Sequence, residues 1–118
     1  MTGWEFDDPS ICDQDLLYRR VPKKPDFRTY DPIRCCWVPG PGALRRGQAG
    51  EGMSTHLGSV LTGRCRPVLT LYSPENASIA FEVGVPRTAK AGVLLVDDPD
   101  EADADLRAAH AEVRPPLP

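Results

Sequence analysis

Hydrophobic and polar residues alternate along this chain in several short runs, and no run keeps a helical period for long. Leu16, Tyr18 and Arg20 alternate with Leu17, Arg19 and Val21, and Pro22 ends the run, so Asp15–Val21 predicts a strand. Pro22–Pro32 is polar, with three prolines, and reads as a loop. Ile33–Val38 is a short β-like run stopped by Pro39-Gly40-Pro41-Gly42. From Pro39 to Gly52 the chain is Gly-rich and basic, which reads as a long flexible loop.

Met53–Leu61 predicts a strand that turns into a short helix. Arg66–Tyr72 is β-rich and ends at Ser73-Pro74. Ser78–Val83 sets Ile79, Phe81 and Val83 against Ala80 and Glu82, which suits a half-buried strand. A competing reading makes Ser73 a helix N-cap with Pro74 at the first helical position. The β-branched content and the stop at Gly84 favour the strand. Pro86–Ala91 reads as a turn or short helix, and Val93–Val96 as a buried strand. Asp100–Ala109 suits a short helix with its acids near the N-terminal end. Ala111–Val113 adds an edge strand, and Arg114-Pro-Pro-Leu-Pro an extended tail of polyproline character.

The sum is a strand-rich α+β domain of five or six short strands, one or two short helices and long Pro/Gly loops. Residues 1–13 read as a loosely ordered lead-in, 14–113 as a single domain and 114–118 as the tail. Composition agrees: Pro and Gly make up 23 of 118 residues, which favours short elements and many turns over long helices. No apolar run approaches the length of a bilayer span, so no membrane partner is expected. The first residues carry neither the basic nor the apolar part of a secretory signal, and the expected compartment is the cytoplasm. Cys12, Cys35, Cys36 and Cys65 then read as reduced thiols, one or two of them buried as small hydrophobes. With no CxxC pair, neither a metal site nor any cofactor is expected.

The net charge of −3 hides a split. Tyr18–Arg46 holds eight bases (Arg19, Arg20, Lys23, Lys24, Arg28, Arg34, Arg45 and Arg46) against Asp26 and Asp31. Val96–Glu112 holds seven acids against Arg107. The two segments are expected to neutralise one another in part. A basic segment interleaved with Tyr18, Phe27 and Tyr30 also suits single-stranded nucleic acid, but the acidic pI of about 5.3 disfavours that partner. The stretch Asp97–Asp105 lacks the glycine and closing glutamate of a calcium loop and reads as a solvated acidic face.

Two histidines, His56 and His110, are the candidate proton carriers near neutral pH. His110 and Glu112 would share one face of a strand, where the carboxylate can hold the imidazole in one tautomer. A surface His and Glu on an edge strand is the commoner outcome of such a pattern. His110-Ala-Glu112 also begins the zinc-deaminase signature, but its Pro-Cys-x-x-Cys pair is missing. Ser54, Thr55 and Ser59 near His56 invite a nucleophile, without a G-x-S-x-G elbow around them. The glycines of 40–52 with Arg45-Arg46 lack phosphate-loop spacing. Arg19 and Arg20 are the candidate anion binders, and as strand neighbours they are expected on opposite faces.

Three fragments occur in order: Asp15-Leu-Leu-Tyr-Arg-Arg-Val-Pro22, Gly52-Met-Ser-Thr-His-Leu57, and Asp98-Pro99 followed by Ala109-His-Ala-Glu-Val113. Together they resemble a group of small bacterial hypothetical proteins with an early Arg-Arg-(Ile/Val), a central Met-Ser-Val-like and a late Asp-Pro…Ala-His-Ala segment. The middle of the chain departs from that group, with Arg34-Cys-Cys-Trp-Val and the Gly-rich loop where the group has a Ser-x-Ala-Phe-type segment. The group has no established activity and so supplies no catalytic roles. The resemblance implies only that Arg19, Ser54, His56 and His110 converge.

The leading expectation is a bacterial accessory module that binds a partner protein or a second copy of itself through its charge-split surface. The alternative is an enzyme acting on a phosphorylated or nucleotide-like substrate. Arg19 and Arg20 would hold the anion, His56 or His110 would be general acid/base, Glu112 the orienter and Ser54 a further catalytic candidate.

Overall fold

A computed structural model describes residues 5–22, 27–39, 52–67, 72 and 76–116, with the backbone alone at 37 and 39. Among the described residues, seven strands and three short helices run in chain order β1 (Leu16–Val21), β2 (Arg28–Asp31), β3 (Cys36–Pro39), β4 (Met53–Leu57), α1 (Gly58–Gly63), β5 (Ala77–Glu82), α2 (Gly84–Thr88), β6 (Gly92–Leu95), α3 (Ala104–Ala109) and β7 (His110–Arg114). Five strands form one antiparallel sheet in the order β5-β1-β4-β7-β6, and β2 with β3 forms a separate ribbon. The class is α+β. No described helix is long and apolar enough to cross a membrane.

Strand alternation gives the sheet two unlike faces. On one lie Leu17, Leu57, Val93 and Ala111, which form the main core with Ile11 and Val83. On the other lies Tyr18, which packs with Val60 and Tyr72 against Leu61, Leu106 and Ala109 of α1 and α3. Leu17, Leu61, Val83 and Val93 are fully buried.

Both helices on the second face are started by carboxylates. Asp15 Oδ1 accepts from Ser59 N at 3.1 Å, across 44 residues of chain. Asp103 is the N-cap of α3 and accepts from Asp105 N at 2.9 Å and Leu106 N at 3.1 Å. Residues 5–13, the described part of the expected loose lead-in 1–13, are tied at several points. Asp8 N donates to the Val93 carbonyl at 2.8 Å, and Arg87 donates to Asp7, Asp13 and the carbonyls of Asp8 and Ile11. Gly92 permits this approach, because a Cβ there would collide with the Phe6 carbonyl.

Several local expectations change. The ribbon strand β2 falls inside the predicted Pro22–Pro32 loop, where its short polar sequence gives no alternation to read. Ile33 leaves the expected strand because Asp31 Oδ1 accepts from Ile33 N and Arg34 N, closing a turn that exposes it. Cys35 follows in the left-handed region at φ 54°, so the strand begins only at Cys36. All four cysteines are exposed rather than buried, two of them (Cys35 and Cys65) at positive φ in turns. The predicted edge strand at Ala111–Val113 is interior, flanked by β4 and β6.

The acidic segment finds different partners from those expected. Asp103 pairs with Arg66 at 2.7 Å, Asp105 with Arg64 at 3.1 Å and Asp97 with Arg107 at 2.8 Å. From the basic segment Arg20 reaches Glu101 at 3.9 Å. Lys23, Lys24, Arg45, Arg46 and nearly all of the 39–52 loop lie outside the described residues, as do 68–71 of the predicted Arg66–Tyr72 strand and the Ser73-Pro74 pair.

Candidate functional site

The site sits in a fork of the sheet. Strands β1 and β4 are in register over Leu17↔Leu57 and Tyr18↔His56. Beyond that point β1 follows β5 out to Val21, while β4 follows β7 back to Met53. In the fork lies a cavity of about 290 Å³, lined by Arg19, Arg20, Pro22, Phe27, Ser54, His56, Asp98, Glu101 and His110.

The fork corrects the expectation that Arg19 and Arg20 serve opposite sides. Arg20 has the parity of Tyr18 and reaches the cavity directly, its guanidinium 4.8 Å above the Tyr72 ring. Arg19 has the other parity, but with the strands apart its Nη1 donates to the Ser54 carbonyl at 2.7 Å. Both cations therefore line one cavity. Burial lowers the Arg19 guanidinium from its ordinary value, leaving it charged at neutral pH.

The two imidazoles come from facing positions, since His56 and His110 are partners in the β4–β7 register. Their centroids are 6.0 Å apart in an edge-on arrangement. Each ring's proton position follows from its neighbours. His110 Nδ1 lies 2.7 Å from the Val96 carbonyl. A carbonyl only accepts, so Nδ1 carries the proton and, in the neutral ring, Nε2 holds the lone pair. Nε2 lies 3.2 Å from Ser54 Oγ, which donates to it. The return bond from Val96 N to the His110 carbonyl, 3.0 Å, fixes both residues.

His56 Nδ1 lies 2.7 Å from the Tyr72 hydroxyl, which donates its single proton to the Tyr18 carbonyl at 3.1 Å. His56 Nδ1 is then the donor to the phenol oxygen, and neutral His56 has the same tautomer as His110. Burial pushes the Tyr72 phenol up, so it keeps its proton. Burial, then His110 and Arg20, push His56 down to about 4, against the opposing pull of Asp98 and Asp103. His56 is neutral at physiological pH.

Glu112 does not orient His110, as the strand pattern suggested. Its buried carboxylate accepts from Gly52 N at 3.1 Å and Arg114 Nε at 2.8 Å. The strand does place Glu112 on the His110 face, but Arg114, two residues further along that face, gives a buried carboxylate the cation it needs. The orienting group is the Val96 backbone, which no sequence pattern marks. Tyr72 also went unmarked, because an aromatic ending an apolar run looks like any core residue. In the sequence Asp98 and Glu101 look like parts of a solvated acidic face. They border the cavity through the turn before α3, where Glu101 Oε2 accepts from Asp103 N.

Arg19, Ser54, His56 and His110 thus line one cavity. Among the described residues no three His, Cys, Asp or Glu side chains are grouped to hold a metal ion. The chain matches no known family model, no curated protein and no solved structure. Fold and site together define a small α+β domain with a two-arginine, two-histidine cavity at a sheet fork.

Proposed function

We propose that this cavity is an active site for a small phosphate ester, with His110 as general base and the two arginines as anion holders. The observation that carries the reading is the meeting of Arg19, Arg20, Ser54, His56 and His110 in one cavity, with His110 Nδ1 fixed on a carbonyl. A fixed tautomer presents Nε2 as the proton acceptor, and general acid–base catalysis needs a base held in reach of its proton. The arginines match phosphate oxygens in charge and donor geometry.

The volume of about 290 Å³ is at the small end of ligand sites, which suits one phosphoryl group with part of its ester. Asp98 and Glu101 in the lining favour a monoanionic diester over a dianionic monoester, because two carboxylates repel the second negative charge. The partner-binding reading rests on surface charge and Pro/Gly loops and has no comparable site behind it.

The test is direct. Inorganic phosphate titrated into labelled protein should move the His56 and His110 ring resonances saturably, and a chromogenic phosphodiester should turn over. Arg19→Ala and Arg20→Ala should each weaken phosphate binding. A protein that neither binds phosphate nor cleaves phosphate diesters would remove this reading.

A further inference from the structure

Resting on that reading, we propose that Ser54 is the nucleophile, so that the reaction passes through a covalent phosphoseryl intermediate. Three observations place Ser54 in that role. It is exposed in a strand whose neighbours Met53, Thr55, His56 and Leu57 are all buried, so it alone in β4 meets solvent. Its hydroxyl donates to His110 Nε2 at 3.2 Å, and His110 is in turn oriented through Nδ1 by the Val96 carbonyl. That is nucleophile, base and orienter in a chain, with a backbone carbonyl where a carboxylate often stands. Thirdly, Arg19 Nη1 donates to the backbone carbonyl of Ser54, which fixes a cation at that residue on the cavity where a bound phosphoryl group would develop charge.

The other serine and threonine candidates fail on geometry. Thr55 is buried on the core face and its Oγ1 donates to the Ala111 carbonyl at 3.0 Å. Ser59 lies in α1, where its amide is held by Asp15. Neither lines the cavity.

The step balances without a further reagent. Ser54 Oγ attacks phosphorus and the Oγ–P bond forms as the P–O bond to the leaving alcohol breaks. The hydroxyl proton passes to His110 Nε2 and from there to the departing oxygen. In the second half a water attacks the same phosphorus, gives its proton to His110, and the Oγ–P bond breaks. His110 returns that proton to Ser54.

A phosphofluoridate such as diisopropyl fluorophosphate traps the first half, since fluoride leaves in place of the alcohol. The intact protein should gain one adduct, located by peptide mass spectrometry on Ser54. Ser54→Ala should abolish it, and because Ser54 is exposed this variant folds as the parent does. His110→Gln should slow labelling by about 100-fold or more. An adduct on Ser59 or Thr55, no adduct at all, or equal labelling of His110→Gln would overturn the proposal. Its failure is separable from that of the substrate reading. Diester turnover surviving in Ser54→Ala would make water the nucleophile and sink this proposal alone. Labelling of Ser54 in a protein that ignores phosphate would instead keep the nucleophile and remove the substrate class.

Discussion

The two faces of the β4–β7 ladder are built from the same two strands and do opposite things. On one face Met53, Thr55, Leu57, Ala111 and Val113 all go into packing. On the other, His56, His110 and Glu112 are buried polar groups, and Ser54 beside them is exposed. The apolar face is held by packing, whereas the polar face is held by hydrogen bonds to Tyr72, Val96 and Gly52, each far along the chain, and to Arg114 two residues from Glu112. Buried polar groups must be paired or their desolvation is uncompensated, so each was given a partner. Ser54 is the exception in exposure, and it lines the cavity together with His56 and His110.

The largest expected effect comes from His110→Gln. Phosphodiester turnover should fall by about 10²–10⁴-fold. A fall in rate matched by unfolding would instead make His110 a purely structural residue, which a thermal melt of the same sample decides.

Next comes the packing face. Leu17 is fully buried between β4 and β5, and Leu17→Ala should cost about 2–5 kcal/mol in urea denaturation. On the opposite face Ser54→Ala should change stability by less than about 0.5 kcal/mol. Equal costs on the two faces would break the contrast between them.

The pH dependence probes His56. Folded His56 takes up its proton only at about 4, whereas an unfolded histidine does so near 6.5. Between these values the unfolded chain binds a proton that the folded one refuses, so acid favours unfolding. The contribution is complete above about pH 6.5 and is lost as pH falls toward 4, amounting to at most about 3 kcal/mol. His56→Phe should flatten that part of the stability curve. An unchanged curve would mean that the imidazole is solvated rather than buried.

The smallest effect is at the start of α3. Asp103→Ala removes the cap and should cost about 1 kcal/mol, while Asp103→Asn keeps the cap and loses the Arg66 pair for less than that. Thermal melts of the two variants separate cap from ion pair.

Legibility followed the locality of the cause. The strand-to-helix switch in Met53–Leu61 was readable because strand alternation gives way there to a helical turn. A helix within Asp100–Ala109 was readable from its alanines and acids, although it begins only at Ala104. The strand β2 was not, because Arg28-Thr-Tyr-Asp is stabilised by its pairing with β3, a relation between segments. Interior and edge could not be told apart at Ala111–Val113 for the same reason: a strand's neighbours are not written in its own residues.

The sequence by itself determined the α+β class, the alternation that divides each strand into two faces, and the short stock of groups able to do chemistry. Tertiary structure decided which of them meet. The parting of β1 from β4 after Tyr18 brought Arg19 across to Ser54, against its strand parity. The β4–β7 register set His56 opposite His110, and a carbonyl 14 residues away fixed the His110 proton. Alternation is a property of one strand's backbone and can be read from it. Register, strand divergence and the choice of hydrogen-bond partner depend on where the rest of the chain packs, and only the folded chain sets them.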